Sequence, residues 1–216
     1  MKAYLWGLIG SLALLPGGSL AQQAAVATPV AMEQPIAGDH WVYEVRDEIT
    51  GKVTGKQTET VTDVTPTDVA VRRQTAADKT LNYAYDRSWN AKITGLEKYA
   101  PNDGRGFKLP LTVGATWPVQ ATATNGENGR ILKFTGRSKV VGQESITTKA
   151  GSFDAFRVET TYAMALAANP TQKVDAVLES WYVPAINHWV KRTYVTRANK
   201  LLRSNETFEL VEYGRR

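Results

Sequence analysis

The chain has 216 residues, with 26 lysines and arginines against 21 aspartates and glutamates, and 43% of its residues are hydrophobic. A length of this order suits one sizeable domain, and ordinary shares of charged and aromatic residues exclude wholesale disorder and a fibrous architecture. The lack of cysteine excludes disulfides, thiolate zinc sites, iron–sulfur clusters and a cysteine nucleophile.

The first segment predicts a secretory signal peptide. Lys2 precedes an almost unbroken apolar run at residues 4–16 that ends in a helix-breaking proline. Ser19 and Ala21 are the small residues that signal peptidase needs at its −3 and −1 positions. The run is shorter than the roughly 20 residues of a membrane-spanning helix. We therefore expect cleavage of residues 1–21 near Ala21 and a periplasmic or secreted protein with no membrane span. A lipid-anchored protein would need a cysteine just after the cleavage site.

The body of the chain predicts strands. Residues 22–38 are rich in Ala, Gln, Pro and Thr and suit a flexible leader. After them, Trp41, Tyr43 and Val45 alternate with polar residues, and this period of two is typical of a half-buried strand. About a dozen such segments, separated by turn residues, make up the rest of the chain. We expect one all-β domain over residues 39–214: an antiparallel meander sheet curled into a half-barrel, or alternatively a β-sandwich.

The basic residues do not gather into a nucleic-acid-binding surface. The formal net charge is +5, and the only adjacent basic pairs are Arg72-Arg73, Lys191-Arg192 and Arg215-Arg216. Domains that bind nucleic acid cluster such residues on one face. We expect these pairs on solvated strand faces and no nucleic-acid partner.

The C-terminal half resembles a known family. Residues 140–158, VVGQESITTKAGSFDAFRV, are similar to a V-x-G-x-E-x-[VI]-T-[VT]-x-A-G-x-F-x-x-[FY]-[KR]-V segment, and WYVP with WVK, within residues 181–191, is similar to a W-Y-x-P … V-K segment. Both segments belong to exported bacterial proteins grouped around domain of unknown function 3108. The motif positions are Glu144, Gly151, Phe153, Trp181, Tyr182 and Pro184. One departure is His188, where family members often have a small residue.

The resemblance implies a secreted or periplasmic β protein with no established activity. Related folds include envelope carriers that hold an acyl chain, which makes a lipophilic ligand conceivable by analogy alone. The motif also has a structural explanation. Gly151 can take the positive φ of a turn, Phe153 anchors the next strand, and Pro184 ends a strand because it lacks a backbone donor. Glu144 is expected to brace a turn or to face solvent.

The sequence shows no constellation that points to catalysis. Its two histidines, His40 and His188, have no carboxylate or histidine at metal-ligand spacing, and we expect both at the surface or at a strand edge. No G-x-S-x-G nucleophile elbow and no glycine-rich phosphate loop before a helix is present. The prediction is therefore no metal, no cofactor and no enzyme activity.

Aromatic residues are the remaining clue to function. Rings of this kind line lipid-binding cavities, stack on sugars, or simply pack a core. The candidate ligand-binding residues are Trp181, Trp189, Tyr83 and Phe156. Two functions follow: a protein that binds a hydrophobic or envelope-derived ligand in a curved sheet, or an envelope protein-interaction or assembly factor with a filled core and an exposed apolar patch.

Overall fold

The computed structural model describes residues 32–215, in which twelve antiparallel strands form a single sheet that closes on itself. Each strand pairs with the next one along the chain, and β1 pairs with both β2 and β12. The strands are β1 His40–Asp47, β2 Lys52–Val64, β3 Asp68–Gln74, β4 Thr80–Asp86, β5 Ala91–Thr94, β6 Glu97–Tyr99, β7 Thr116–Asn125, β8 Ile131–Thr148, β9 Gly151–Leu166, β10 Asn169–Val183, β11 His188–Ala198 and β12 Leu201–Gly214.

The predicted antiparallel meander and the curling of its sheet are confirmed, but the sheet is a closed barrel rather than a half-barrel, and the alternative of a sandwich is wrong. β1 pairs along its whole length with β12, from His40 opposite Gly214 to Asp47 opposite Glu206. This pairing joins the two strands that would be the edges of an open sheet, and a closed sheet has no edges. Local alternation gives the faces of each strand, whereas closure depends on a pairing across the whole length of the chain.

The predicted signal peptide, with its cleavage site near Ala21, lies outside the described residues, and so does the first part of the predicted leader. The described part, residues 32–38, is tied to the barrel. Met32 is fully buried, its backbone N–H donates to the carbonyl of Ala185 over 2.7 Å, and Gly38 N–H donates to the carbonyl of Val61. No helix within residues 32–215 is long and apolar enough to cross a membrane.

A short 3₁₀ turn, Pro184–Ile186, connects β10 to β11 and helps to anchor the leader. It ends at Asn187, which takes a left-handed conformation with φ of 47°. The Asn187 Oδ1 atom accepts hydrogen bonds from Trp89 Nε1 and the Tyr182 hydroxyl, and its Nδ2 donates to the carbonyl of Glu33. One side chain therefore joins the leader, the β4–β5 connection and β10.

The interior holds two apolar clusters. The larger includes Trp41, Tyr43, Val69 and Val71, and the smaller is built around Val119, Phe134 and Tyr162. The predicted inward face of β1 is confirmed, because Trp41, Tyr43 and Val45 are all buried.

Close contact between β8 and β9 depends on a glycine. A Cβ atom placed on Gly136 would lie 2.1 Å from the carbonyl oxygen of Thr161 and 2.5 Å from the Cα of Tyr162. Glycine within a strand commonly marks such a close backbone approach or a bend of a curved sheet. Gly142 lies on the same strand and has open space around it.

We predict that Gly136→Ala lowers the free energy of unfolding by about 1–3 kcal/mol, since the added methyl group forces the two backbones apart. Gly142→Ala is the matched control and should leave stability unchanged or slightly raised. Urea unfolding of both variants, followed by tryptophan fluorescence, measures the difference. Equal stability of the two variants would show that β8 and β9 tolerate a side chain at this contact.

Candidate functional site

The centre of the site is a buried ion pair inside the barrel. Glu59, on β2, is 1% exposed, and its Oε1 atom lies 2.7 Å from a terminal nitrogen of Arg73 on β3. The amide of Gln57 donates to the same oxygen over 3.0 Å. Burial alone would raise the pKa of Glu59, but the charge of Arg73 and a hydrogen bond from His188 outweigh it and hold the pKa at about 2. Glu59 is therefore a permanent anion at neutral pH.

His188 contacts this ion pair from the other side of the interior. It is 2% exposed, its ring stacks on Trp41 with centroids 4.1 Å apart, and its Nε2 atom lies 3.5 Å from Glu59 Oε2. Its Nδ1 atom lies 2.7 Å from the hydroxyl of Tyr43. Burial lowers the pKa of His188, and the neighbouring carboxylate only partly offsets that effect. The ring is therefore neutral at pH 7. The expected surface or strand-edge position was wrong for this histidine.

Arg192, on β11, is a second interior arginine with a different environment. Its Nε atom donates to the Ser180 hydroxyl over 2.9 Å, and its guanidinium lies 4.4 Å from the ring centroid of Trp189. Within residues 32–215 no carboxylate lies within ion-pair distance of it, although the charge of Glu59 acts on it from farther away. Burial lowers the pKa of Arg192, yet a guanidinium remains protonated at neutral pH.

A third arginine lies where the long β6–β7 connection enters the barrel. Arg105 Nε bonds to Asp103 Oδ2 over 2.8 Å, and its terminal nitrogens donate to the hydroxyls of Tyr162 and Tyr99. The Tyr162 hydroxyl donates in turn to Tyr194 over 3.3 Å. This chain of hydrogen bonds runs from the loop across β9 to β11.

A cavity of about 210 Å³ lies between these groups. Its walls include side chains packed in the larger apolar cluster, such as Tyr85 and Trp89, and others from the smaller cluster, such as Tyr162 and Leu178. The interior is thus layered, with a polar zone between two apolar ones. The polar and charged lining residues are Arg73, Arg105, Arg192, Asp103, Thr94, Tyr83, Tyr85, Tyr162 and Tyr194.

The four predicted ligand-binding aromatics do not share one site. Tyr83 lines the cavity, and the Arg73 guanidinium lies 3.9 Å from its ring centroid. Trp189 is buried in the core, stacked on Tyr43 at 3.7 Å between centroids. Trp181 has the opposite orientation, because its indole donates to the exposed carboxylate of Glu144 over 2.6 Å. Phe156 lines a separate groove beside the leader.

The family-like motif lies mostly in turns and packing. Gly151 begins β9 with φ of 133°, a conformation that favours glycine. Phe153 is buried against Tyr213, and Tyr182 is buried against Phe107. Pro184 is the first residue of the 3₁₀ turn. Glu144 is solvent-exposed, with Trp181 and Arg157 beside it.

The sequence predicts that the adjacent basic pairs lie on solvated strand faces. That prediction was wrong for one residue in each of two pairs. Arg72 is exposed, but Arg73 faces the interior. Arg192 faces the interior as well. The strict alternation of inward and outward residues along a strand could have predicted these inward positions. Val69, Val71 and Arg73 have the same parity on β3, as do Gln57, Glu59 and Val61 on β2, so a charged residue in phase with buried neighbours points inward.

Comparison with solved structures shows the fold. The chain is similar to a candidate lipoprotein from Parabacteroides distasonis ATCC 8503, with a TM-score of 0.60 and 14% identity over 87% of this chain and 100% of that one. It is also similar to a candidate exported protein with a YmcC-like fold from Bacteroides fragilis NCTC 9343, with a TM-score of 0.57 and 15% identity over the same shares. The architecture is therefore that of the YmcC-like fold.

No family model matches the sequence, and no curated protein matches it either. The resemblance to the family of domain of unknown function 3108 consequently stays a prediction.

We predict that Glu59→Gln lowers the free energy of unfolding by about 3–5 kcal/mol, because it leaves the Arg73 cation buried without its carboxylate. The double variant Glu59→Gln/Arg73→Met should recover much of that loss, since it removes both charges. Asp68→Asn, which breaks the exposed pair with Lys92, is the control and should change stability little. Urea unfolding measures all three. A single variant as stable as the wild type would contradict a buried ion pair at this place.

We predict a loss of stability in mild acid that originates at His188. Its folded pKa lies below the ordinary value of 6.5, so the unfolded chain binds a proton that the folded chain does not. The free energy of unfolding should therefore fall as the pH drops below about 6.5 toward the folded pKa. His188→Phe should be less stable at pH 7.5 and should lose stability less steeply between pH 7.5 and 5. Glu59 does not interfere with this measurement. Its contribution to stability is lost only as the pH falls from its ordinary pKa of 4.5 to its folded pKa of about 2. Parallel slopes for the two proteins would assign the acid sensitivity to other groups.

Proposed function

We propose that the protein is an exported, non-catalytic binding protein of the cell envelope that holds a small ligand inside its barrel. The observation that carries this proposal is the cavity of about 210 Å³ lined by three arginines and four tyrosines. A barrel of more than eight strands is wide enough to enclose a ligand cavity, and charged groups are seldom fully buried unless they are paired.

The size and chemistry of the cavity favour a small ligand over a long acyl chain. Ligand pockets commonly measure about 300–1,000 Å³, whereas a cavity near 150 Å³ is enough to hold benzene. The lining also has more polar groups than a site for a hydrocarbon chain needs. The lipophilic ligand that the sequence suggests is thereby narrowed to a compact molecule with polar groups of its own.

Two observations support the envelope location. The first is the signal-peptide pattern of residues 1–21. The second is that the two structural neighbours are described as a candidate lipoprotein and a candidate exported protein. Because the chain has no cysteine, a lipid attached through a cysteine thiol is excluded for it.

A protein-interaction role is the second candidate, and exposed apolar side chains favour it. Leu201 and Leu202 at the β11–β12 turn are 62% and 45% exposed. A groove nearby is lined by Leu132, Met164 and Leu166. Patches of this kind mark contact surfaces in many proteins. The interior cavity is not needed for this role, so a ligand test separates the two candidates.

We predict that the interior binds at least one member of a small panel of single-ring compounds: benzoate, benzamide, benzylamine and phenol. Saturation-transfer NMR on the full chain detects such binding. Leu178→Trp, which fills the cavity from β10, should abolish the signal. Val177→Trp adds the same ring at the next residue, whose side chain is on the other face of the strand, and should retain it.

Ala91→Leu provides a second way to fill the cavity if Leu178→Trp does not fold, since Ala91 is 2% exposed and also lines it. Binding that survives both cavity-filling variants, or no binding by any compound, would reject the interior as a ligand site. Either result would favour the interaction role.

A further inference from the structure

Several hydrogen-bond donors of the cavity lining have no acceptor among residues 32–215. Arg192 uses its Nε–H on Ser180, and no hydrogen bond from its two terminal nitrogens is formed within residues 32–215. Arg192 lines the cavity, so these nitrogens are donors available to whatever occupies it. Arg192 is half-buried, and a guanidinium withdrawn from water without a carboxylate partner is costly unless an anion compensates its charge.

Two tyrosine hydroxyls of the cavity lining also have a donor proton without an acceptor. Tyr85 accepts a hydrogen bond from Arg73 over 2.8 Å, and Tyr194 accepts one from Tyr162 over 3.3 Å. A hydroxyl carries one proton that it can donate. Neither proton has an acceptor among the described residues, and burial raises the pKa of both groups, so both stay protonated. Each of these hydroxyls is therefore a free donor, in addition to the terminal nitrogens of Arg192.

The two carboxylates near the cavity, Asp103 and Glu59, are already occupied. Asp103 Oδ1 accepts from the backbone N–H of Ala91 and of Arg105, and its Oδ2 accepts from Arg105 Nε. Glu59 Oε1 accepts from Arg73 and Gln57, and its Oε2 faces His188. Of the three arginines that line the cavity, Arg73 and Arg105 each have a carboxylate within ion-pair distance, and Arg192 has none within residues 32–215.

We propose that the occupant of the cavity is a small organic monoanion whose carboxylate or other anionic group binds Arg192 and the hydroxyls of Tyr85 and Tyr194. This inference rests on the proposed function and names the chemistry of its ligand. An arginine with free terminal nitrogens suits a planar anionic group, because its fork of N–H donors can meet two oxygens at once.

The rest of the lining accommodates the uncharged part of such a molecule. Leu178, Phe208 and Trp89 contribute apolar and aromatic surface. A volume of about 210 Å³ holds a single ring with a short substituent. The ligand class is accordingly a compact aromatic or aliphatic acid, and benzoate is a suitable probe.

The test compares benzoate with its neutral and cationic counterparts, benzamide and benzylamine, by isothermal titration calorimetry on the full chain. We expect benzoate to bind at least about tenfold more tightly than benzamide, and benzylamine not to bind. The uncompensated charge of Arg192 attracts the benzoate carboxylate and repels the benzylamine cation. Arg192→Gln should weaken benzoate binding about tenfold or more and leave benzamide unaffected.

Arg197→Gln is the matched control, since Arg197 lies on the same strand, is exposed and does not line the cavity. If Arg192→Gln does not fold, Tyr194→Phe removes one free donor with little change in shape and should weaken benzoate severalfold. Thermal unfolding checks that each variant is folded.

The possible outcomes distinguish this inference from the proposed function. Benzamide that binds as tightly as benzoate, or benzoate binding that Arg192→Gln does not change, would overturn the anionic ligand and leave the cavity as a binding site. Chloride or inorganic phosphate that binds while benzoate does not would also overturn it, because the site would then hold a bare ion. Failure of every compound to bind would reject the binding function itself.

Discussion

Closing twelve strands into one sheet imposes the constraint from which the other features of the interior follow. A barrel of eight strands has an interior just wide enough for side chains to fill, and additional strands widen it. Aromatic residues such as Trp41 and Tyr43 fill part of this space. The remainder is spanned by long charged side chains in the zone between the two apolar clusters, and a cavity of about 210 Å³ is left among them.

Pairing between opposite charges stabilises most of the charged side chains in this polar zone. Glu59 is held between Arg73 and His188, and Asp103 is held by Arg105, so five of the charged or titratable groups are paired with one another. Buried networks of this kind are stable only when each member has a partner. Arg192 is the member without a carboxylate of its own, and it lies at the same cavity. Arg192 is therefore the arginine whose charge is left to the ligand that we propose for the cavity.

Much of the fold could be predicted from local alternation, and much of the site could not. The period of two in residues 41–45 correctly predicted a buried face, and the regular turns correctly predicted a meander. Closure was missed because the β1–β12 pairing has no local signature. Arg73 and Arg192 were missed because charged residues were assigned to solvent by type, although the parity of Val69 and Val71 already placed Arg73 inward. His188 was missed for a related reason: what buries it is a stack on Trp41, a residue far away in the sequence.

The pairing of the first strand with the last also affects how the molecule is made. Strand pairs formed by neighbouring hairpins can assemble as the chain emerges, but β1 must wait for β12 before the sheet closes. Until then, two long edges with unpaired backbone groups are open to other chains. Contacts so distant in sequence slow folding, which lengthens the time for which these edges stay unpaired. The same adjacency of β1 and β12 makes the protein a good candidate for circular permutation, with new termini cut into the exposed turn at residues 199–200.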